Sequence, residues 1–523
     1  MTEGGRISRR AFVLAAGGAG VAAIGAVALV GLTRKGGRPL AGGFVDDGSA
    51  AGHALRDRSS VPSVRRSVRV PVVIVGGGIA GLSAAWWLRR NGMHDFALLE
   101  LATAPGGNSR GGANAVSAFP WGAHYVPLPG PRATWVRLLF EEMGILANGA
   151  WSERALCMAP KERIFVHGRW RDGVDDALVA GPADAAEMRR FGEEITALRE
   201  TGAFTIPMAL GAPSASPLDA ITADELLRQR GYRSPAVRWL VDYACRDDFG
   251  TASRDTSAWA AVHYFASREG DEESGPLTWP EGNARLVQHL AAAVSPRIVT
   301  GRAVHRVEPT AGGMRVLAGD GEWLCNRVIW AAPTFVATHV MDDQPPVAFT
   351  YSPWLVTNLT LDRWPRDRGS PPAAHGDAPT AAWDNVIADS PSLGYVVATH
   401  QSPRVVQERT VWTHYWALAG SDPRAERRQL MAADWRTCAE WVLADLERVH
   451  PDIRECVSRI DTLRYGHAMA RPLPGFLAAR QALWHPVRGA RVLYANSDVS
   501  GLSLFEEAQH RGITAAEAVL REG

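Results

Sequence analysis

Lysine is almost absent from this chain. Of 56 basic residues, only Lys35 and Lys161 are lysines, and the rest are arginines. Cysteine is sparse too. The five, Cys157, Cys245, Cys325, Cys438 and Cys456, are scattered with no C-x-x-C pair. That excludes a zinc knuckle and a redox dithiol, and an odd number argues against a full disulfide framework. Free, buried thiols are expected. The charge is nearly balanced, at a formal +1. It gives no electrostatic reason to expect nucleic acid or an acidic membrane as partner. No His/Asp/Glu cluster has metal-ligand spacing, so no metal is expected, and neither a nucleophile-elbow serine nor a Walker loop is found.

Long apolar runs are also missing, with one exception. Arg6, Arg9 and Arg10 form a basic start, and Ser8-Arg9-Arg10-Ala11-Phe12-Val13 follows the twin-arginine export pattern. A Gly/Ala/Val-rich run continues to about Leu32, before Thr33-Arg34-Lys35. Residues 1–35 therefore read as a twin-arginine signal, and the run is long enough to stay as a membrane anchor if uncut. Export by the twin-arginine translocation machinery, to the periplasm or the outer face of the cytoplasmic membrane, is expected. Residues 36–66, rich in Gly, Ser, Asp and Arg, read as a flexible linker.

What is present begins just after. Val70-Pro71-Val72-Val73-Ile74-Val75 is a β-branched run suited to a parallel strand buried on both faces. It enters Gly76-Gly77-Gly78-Ile79-Ala80-Gly81. A helical pattern follows and ends at Asn91-Gly92, and a second apolar strand ends in Glu100. Gly76 permits the tight turn, Gly78 lets backbone approach a pyrophosphate, and Gly81 lets helix and strand pack closely. The helix N-terminus, at Ile79 and Ala80, offers unpaired N–H groups and a positive dipole end to phosphate. Glu100 stands where a ribose diol can be gripped. Strand, glycines, helix, strand and acid in this order predict a dinucleotide site.

Beyond Glu100 come Gly106-Gly107-Asn108-Ser109-Arg110, a second glycine pair beside the cofactor path. Ser109 and Arg110 are candidates to meet phosphate, with Arg110 equally readable as a solvated charge. Two distant segments support the same reading: Trp279 to Pro333, and Arg491 to the final helix. Together these segments resemble the flavin amine oxidase, protoporphyrinogen oxidase and phytoene desaturase superfamily.

The resemblance implies an α/β fold in which a Rossmann-like FAD-binding domain is discontinuous in sequence. That domain would comprise residues 67–135, 278–340 and 460–523. Residues 136–277 and 341–459 would form a substrate domain of sheet plus helices. FAD is the implied cofactor and a small molecule the implied substrate partner. The resemblance sets Val304 backbone at the adenine, Asp498 at the ribityl or pyrophosphate region, and backbone around Glu507 and Ala508 at the flavin N1 and O2 edge. A helix N-terminus there would stabilise the negative charge of reduced flavin.

The pattern also departs from that family. The lysine commonly found near flavin N5 would fall between Val356 and Asn358, where there is none. Ala104 replaces a frequent arginine, and Gly-Gly-Asn replaces Gly-Gly-Arg. Residues weighed for the active site are His467, the stretch Trp121 to Tyr125, His263-Tyr264 and His414-Tyr415-Trp416, each also readable as core; no catalytic residue is assigned. The expected function is FAD-dependent hydride transfer from a small organic substrate, an amine or polyamine first. The alternatives are a flavin-dependent desaturase or isomerase of an apolar substrate, and a non-catalytic flavin-binding protein.

Overall fold

Val72–Val75 is buried at every position, and its side chains alternate between two cores. Val72 and Ile74 enter one cluster, Val73 and Val75 the other, as period-2 geometry requires of a strand covered on both faces. It is the middle of a five-stranded parallel sheet. The spatial order is Ile298–Val299, Phe96–Leu99, Val72–Val75, Arg327–Trp330, Val492–Tyr494. The chain leaves this first strand toward one neighbour and returns on its other side, so the crevice at the strand ends is a switch point.

In this computed structural model the described residues are 40–522, apart from 47, 58–62, 212, 214, 269–274, 343–348, 370–380, 403–406 and 482–488. The expected export signal at residues 1–35 lies outside them. Among the described residues no helix is long and apolar enough to cross a membrane.

Helices Ile79–Arg90, Ala284–Val294 and Phe505–Glu522 cover one face of the parallel sheet. Close helix approach needs a glycine here: a Cβ on Gly512 would lie 2.1 Å from the Ala80 carbonyl oxygen. The other face carries an antiparallel meander, Val304–Thr310, Gly313–Ala318 and Gly321–Cys325, extended by Arg66–Arg69. The α/β, Rossmann-like expectation is met.

A second, eight-stranded sheet carries the other half. Its order is Ala41–Phe44, Val457–Ala470, Tyr351–Leu361, Thr410–Ala417, Gly394–Val397, Asp384–Ile387, Glu162–Val166, Arg169–Asp172. Helices Pro182–Glu200, Ala223–Gln229, Pro235–Phe249 and Ala258–Ala266 supply a separate core around Trp259, Phe249 and Tyr232. All five cysteines are free and buried.

Three expectations about boundaries need correction. The expected flexible linker 36–66 carries regular structure among its described residues. Ala41–Phe44 pairs in parallel with Arg459–Thr462, and Ser49–Arg56 is a helix. No apolar period announced this strand, because it is an exposed glycine-rich edge held by backbone bonds, not by burial. Residues 460–470 belong to the long strand Val457–Ala470 of the second sheet, not to the cofactor domain. Helix Thr134–Glu142 runs past residue 135 and buries Val136, Leu139 and Phe140 in the cofactor-side core.

Candidate functional site

The dinucleotide groove is built from backbone. Gly76 has φ +103° and sits where a Cβ would be 2.8 Å from Ala332 N. At Gly81 a Cβ would lie 1.9 Å from the Gly76 carbonyl oxygen, so turn and helix are in contact. Gly78 differs. A Cβ there meets only the Gly107 Cα, at 4.0 Å, so the space in front of it is open. No side chain caps helix Ile79–Arg90, and its first intrahelical bond runs from Leu82 N to Gly78 O. The N–H groups of Ile79, Ala80 and Gly81 therefore face that space without helical acceptors.

Glu100 closes one end. One carboxylate oxygen accepts from Gly77 N at 2.6 Å and the other from Ala102 N at 2.8 Å. Burial raises its pKa against those two bonds. A carboxylate has about four acceptor sites, so capacity for ribose hydroxyls remains. Val304 is buried at the start of its strand, and Arg302 N donates to Glu100 O, which brings this segment beside the acid. Gly106 (φ +140°) and Gly107 (φ +54°) form the opposite wall, with Gly106 N bonded to Gly77 O at 2.8 Å. These features fit an extended dinucleotide: an open cradle, unfilled N–H donors and an acid with spare acceptors.

The remaining expected cofactor residues are placed less simply. Ser109 is buried and its N–H donates to Gly106 O. Asn108 Nδ2 donates to Ala468 O at 2.6 Å, tying the groove to the second sheet. Arg110 lies over the Tyr465 ring, and its Nη1 donates to Asp46 O at 3.2 Å. Asp498 is anchored to protein through one oxygen. One carboxylate oxygen accepts from Thr334 N, Thr334 Oγ1 and Tyr351 OH at 2.8–3.0 Å. That oxygen holds the segment at Thr334 in place, and the other carboxylate oxygen keeps acceptor capacity for the expected contact. Glu507 is wholly buried, accepting from Met208 N and Ser500 Oγ. Ala508 N is already bonded to Leu504 O, so of the expected Glu507–Ala508 pair only the Glu507 N–H lacks a helical acceptor.

Beside the groove opens a cleft. One wall is aromatic. His124 stacks on Tyr415 with ring centroids 4.6 Å apart and meets Trp383 at 5.5 Å. The loop carrying His124 is clamped: Tyr415 OH donates to Gly122 O, Tyr465 OH to Trp121 O, and Ala123 N to Asn108 O. Burial lowers the His124 pKa to about 4, so the ring is neutral at neutral pH. Asn283 donates to Tyr125 O, while its buried Oδ1 has no partner among the described residues.

The other wall is acidic. Asp248 binds Arg268 through both oxygens, at 2.8 and 2.9 Å, and Arg268 covers the Tyr264 ring at 3.8 Å. Among the described residues no hydrogen bond or ion pair reaches the Asp247 carboxylate, which lines the same cleft. Burial, then the neighbouring Asp248, raises its pKa. Glu506, in the first turn of the last helix, is 3 % exposed and is pushed up to about 7, chiefly by burial. Asp247, Asp248, Arg268 and Glu506 were not singled out from sequence. The Asp247-Asp248 pair in a helix after Arg246 gives no local pattern; only the fold brings it to Glu506.

Of the residues weighed earlier, Gly122 to Tyr125 and Tyr415 do line the cleft. His467 does not; it stacks on Phe335 at 4.4 Å. His263 is core, bonded to Thr205 O and stacked on Trp259. His414 is buried against Asp445 at 3.1 Å. Val356 lines the cleft where the family lysine was sought.

Comparison with known proteins agrees with this geometry. A family model described as an NAD(P)-binding Rossmann-like domain matches residues 74–142. The wild-type putrescine oxidase bound to putrescine superposes with TM-score 0.65 at 18% identity, covering 87% of this chain and 100% of that one. Cyclohexylamine oxidase from Brevibacterium oxydans gives 0.65 at 16%, covering 87% and 99%. The fold is the amine-oxidase fold. A fatty acid isomerase from P. acnes shares it, with TM-score 0.61 at 16% identity over 86% of this chain and 98% of that one. In sequence, the chain is 27% identical over 296 residues to a protein of Mycobacterium tuberculosis named "Putative flavin-containing monoamine oxidase AofH". That match spans 53% of this chain and 60% of the relative, less than two thirds of its length. At these identities the likenesses show the amine-oxidase fold and leave the chemistry to the site.

Proposed function

We propose that this chain is an FAD-dependent oxidoreductase that takes hydride from a carbon next to nitrogen in a small amine. The observation that carries the amine reading is the Asp247 carboxylate, unpartnered and facing an aromatic wall. Arg268 and Arg246 offset only part of the cost of holding a charged carboxylate there without a hydrogen bond, and an ammonium group entering the cleft would relieve the rest. Neutral His124 and the face of Tyr415 would flank the cation. FAD would be held by Gly76, Gly78, Ile79, Ala80, Gly81, Glu100, Gly106 and Gly107, and its ring supplies the hydride acceptor when bound. The protein's own part is orientation and proton holding. The Glu507 N–H and the positive end of the last helix would face developing negative charge, and Glu506 is poised to exchange a proton near neutrality.

Anaerobic titration tests this. A diamine should bleach the visible bands of the bound flavin, and Asp247→Asn should raise the concentration needed while leaving the spectrum of the resting protein unchanged. Bleaching by no amine would count against the reading. A second reading, isomerisation or desaturation of an apolar substrate, is favoured by the lack of a lysine between Val356 and Asn358 and by the shared fold with a fatty acid isomerase. Conversion of an unsaturated fatty acid with no amine turnover would decide for it. We further propose export by the twin-arginine route. Such transport carries folded proteins, which suits a cofactor acquired in the cytoplasm. A signal-sequence fusion exported by cells without that pathway would contradict it.

A further inference from the structure

Strand Ala41–Phe44 and helix Ser49–Arg56, ahead of the first Rossmann strand, lie beside the segments that frame the cofactor groove. The edge strand runs parallel to Arg459–Thr462, and Val45 N then donates to Thr462 O at 2.9 Å. Asp46 O receives the Arg110 guanidinium at 3.2 Å, and Asp46 Oδ1 accepts from Gly48 N at 2.9 Å, which turns the chain. Gly48, at φ +69°, sits so close to Leu101 that a Cβ would be 3.0 Å from its Cδ2. Helix Ser49–Arg56 then lies against helix Thr334–Val340. Its His53 reaches the surroundings of His467, whose pKa is lowered to about 4 by burial first, then by Arg427 and His53.

Each contact is next to a station of the dinucleotide. Leu101 follows the ribose acid Glu100. Arg110 ends the glycine-pair segment. Thr334 begins the helix anchored by Asp498. The attachment is light: no residue of helix Ser49–Arg56 is fully buried and no side chain caps its N-terminus. Elements with little buried contact open well before the whole fold does.

We infer that strand Ala41–Phe44 and helix Ser49–Arg56 form a strap that closes the outer side of the dinucleotide groove and retains FAD without a covalent bond. The inference rests on the cofactor reading above. The strap docks through its edge strand and opens at its helix, so cofactor entry and exit are gated by helix release. A chain exported already folded needs such retention, since it leaves its cofactor supply behind.

The test is the rate of FAD release from the full-length holoprotein, read by the rise of free-flavin fluorescence after dilution. Gly42→Val attacks the strand: a Cβ there would be 1.7 Å from the Ile460 carbonyl oxygen. Leu55→Ser attacks the half-buried face of the helix. Both should speed release by at least about tenfold, in proportion to the open fraction of the strap. Hydrogen exchange in Ala41–Phe44 and Ser49–Arg56 should also slow when FAD is added to stripped protein. Release rates equal to those of the unaltered chain, with exchange indifferent to FAD, would overturn the strap and leave the cofactor reading intact. An unaltered chain that takes up no FAD would overturn both.

Discussion

The dinucleotide groove and the neighbouring cleft are made of different material. The groove is backbone: turns, bare N–H groups and glycines whose missing side chains are the site. The cleft is side chains, delivered by the Gly122–Tyr125 loop, helix Pro235–Phe249, Arg268, strands Tyr351–Leu361 and Thr410–Ala417, and the first turn of the last helix. A backbone site tolerates almost no change at its tight points. A side-chain site is expected to survive single changes and respond in its chemistry.

The largest effect should come from Gly81→Val. Its Cβ would lie 1.9 Å from the Gly76 carbonyl oxygen, which cannot move without the turn. Overpacking of this kind costs about 3 kcal/mol or more, so melting temperature and flavin content should both collapse. Gly78→Ala sharpens the contrast. With its nearest neighbour at 4.0 Å, it should melt as the unaltered protein does yet bind FAD at least about tenfold more weakly, ~1.4 kcal/mol. Equal binding would show that this space is not the cofactor's.

In the cleft, Asp248→Asn leaves the Arg268 guanidinium without its bidentate partner and should cost about 3 kcal/mol in denaturant unfolding. Asp247→Asn removes a carboxylate that no partner satisfies and should cost nothing. If the two variants unfold alike, the division of roles is wrong.

An effect of similar size, spread along the pH axis, is the slope from Glu506. Its folded pKa of about 7 lies above the ordinary 4.5, so between these values the folded chain holds a proton that the unfolded chain has lost. Stability from this group is full below about pH 4.5 and falls as pH rises to 7, by up to about 3 kcal/mol. Glu506→Gln should flatten that stretch of the apoprotein's stability curve, measured by denaturant unfolding at several pH values.

The same contrast explains what could be read from the residues alone. The strand, the three glycines, the helix and Glu100 are contiguous, and each has a stereochemical reason to be what it is. The cleft acids are legible only after folding, because Asp247 and Glu506 are far apart in the chain and carry no spacing rule. Asp498 shows what residues alone leave out: that one of its carboxylate oxygens binds Thr334 and Tyr351 follows only from the fold. The Ala41–Phe44 strand was invisible because an edge strand of small residues leaves no hydrophobic period.

The account stands on one coenzyme spanning these two regions. The most direct measurement is the visible absorbance spectrum of the purified full-length protein, with the released cofactor identified by chromatography. The account predicts the two bands of oxidised flavin and one FAD per chain. Colourless protein that fails to take up FAD when titrated with it would contradict it.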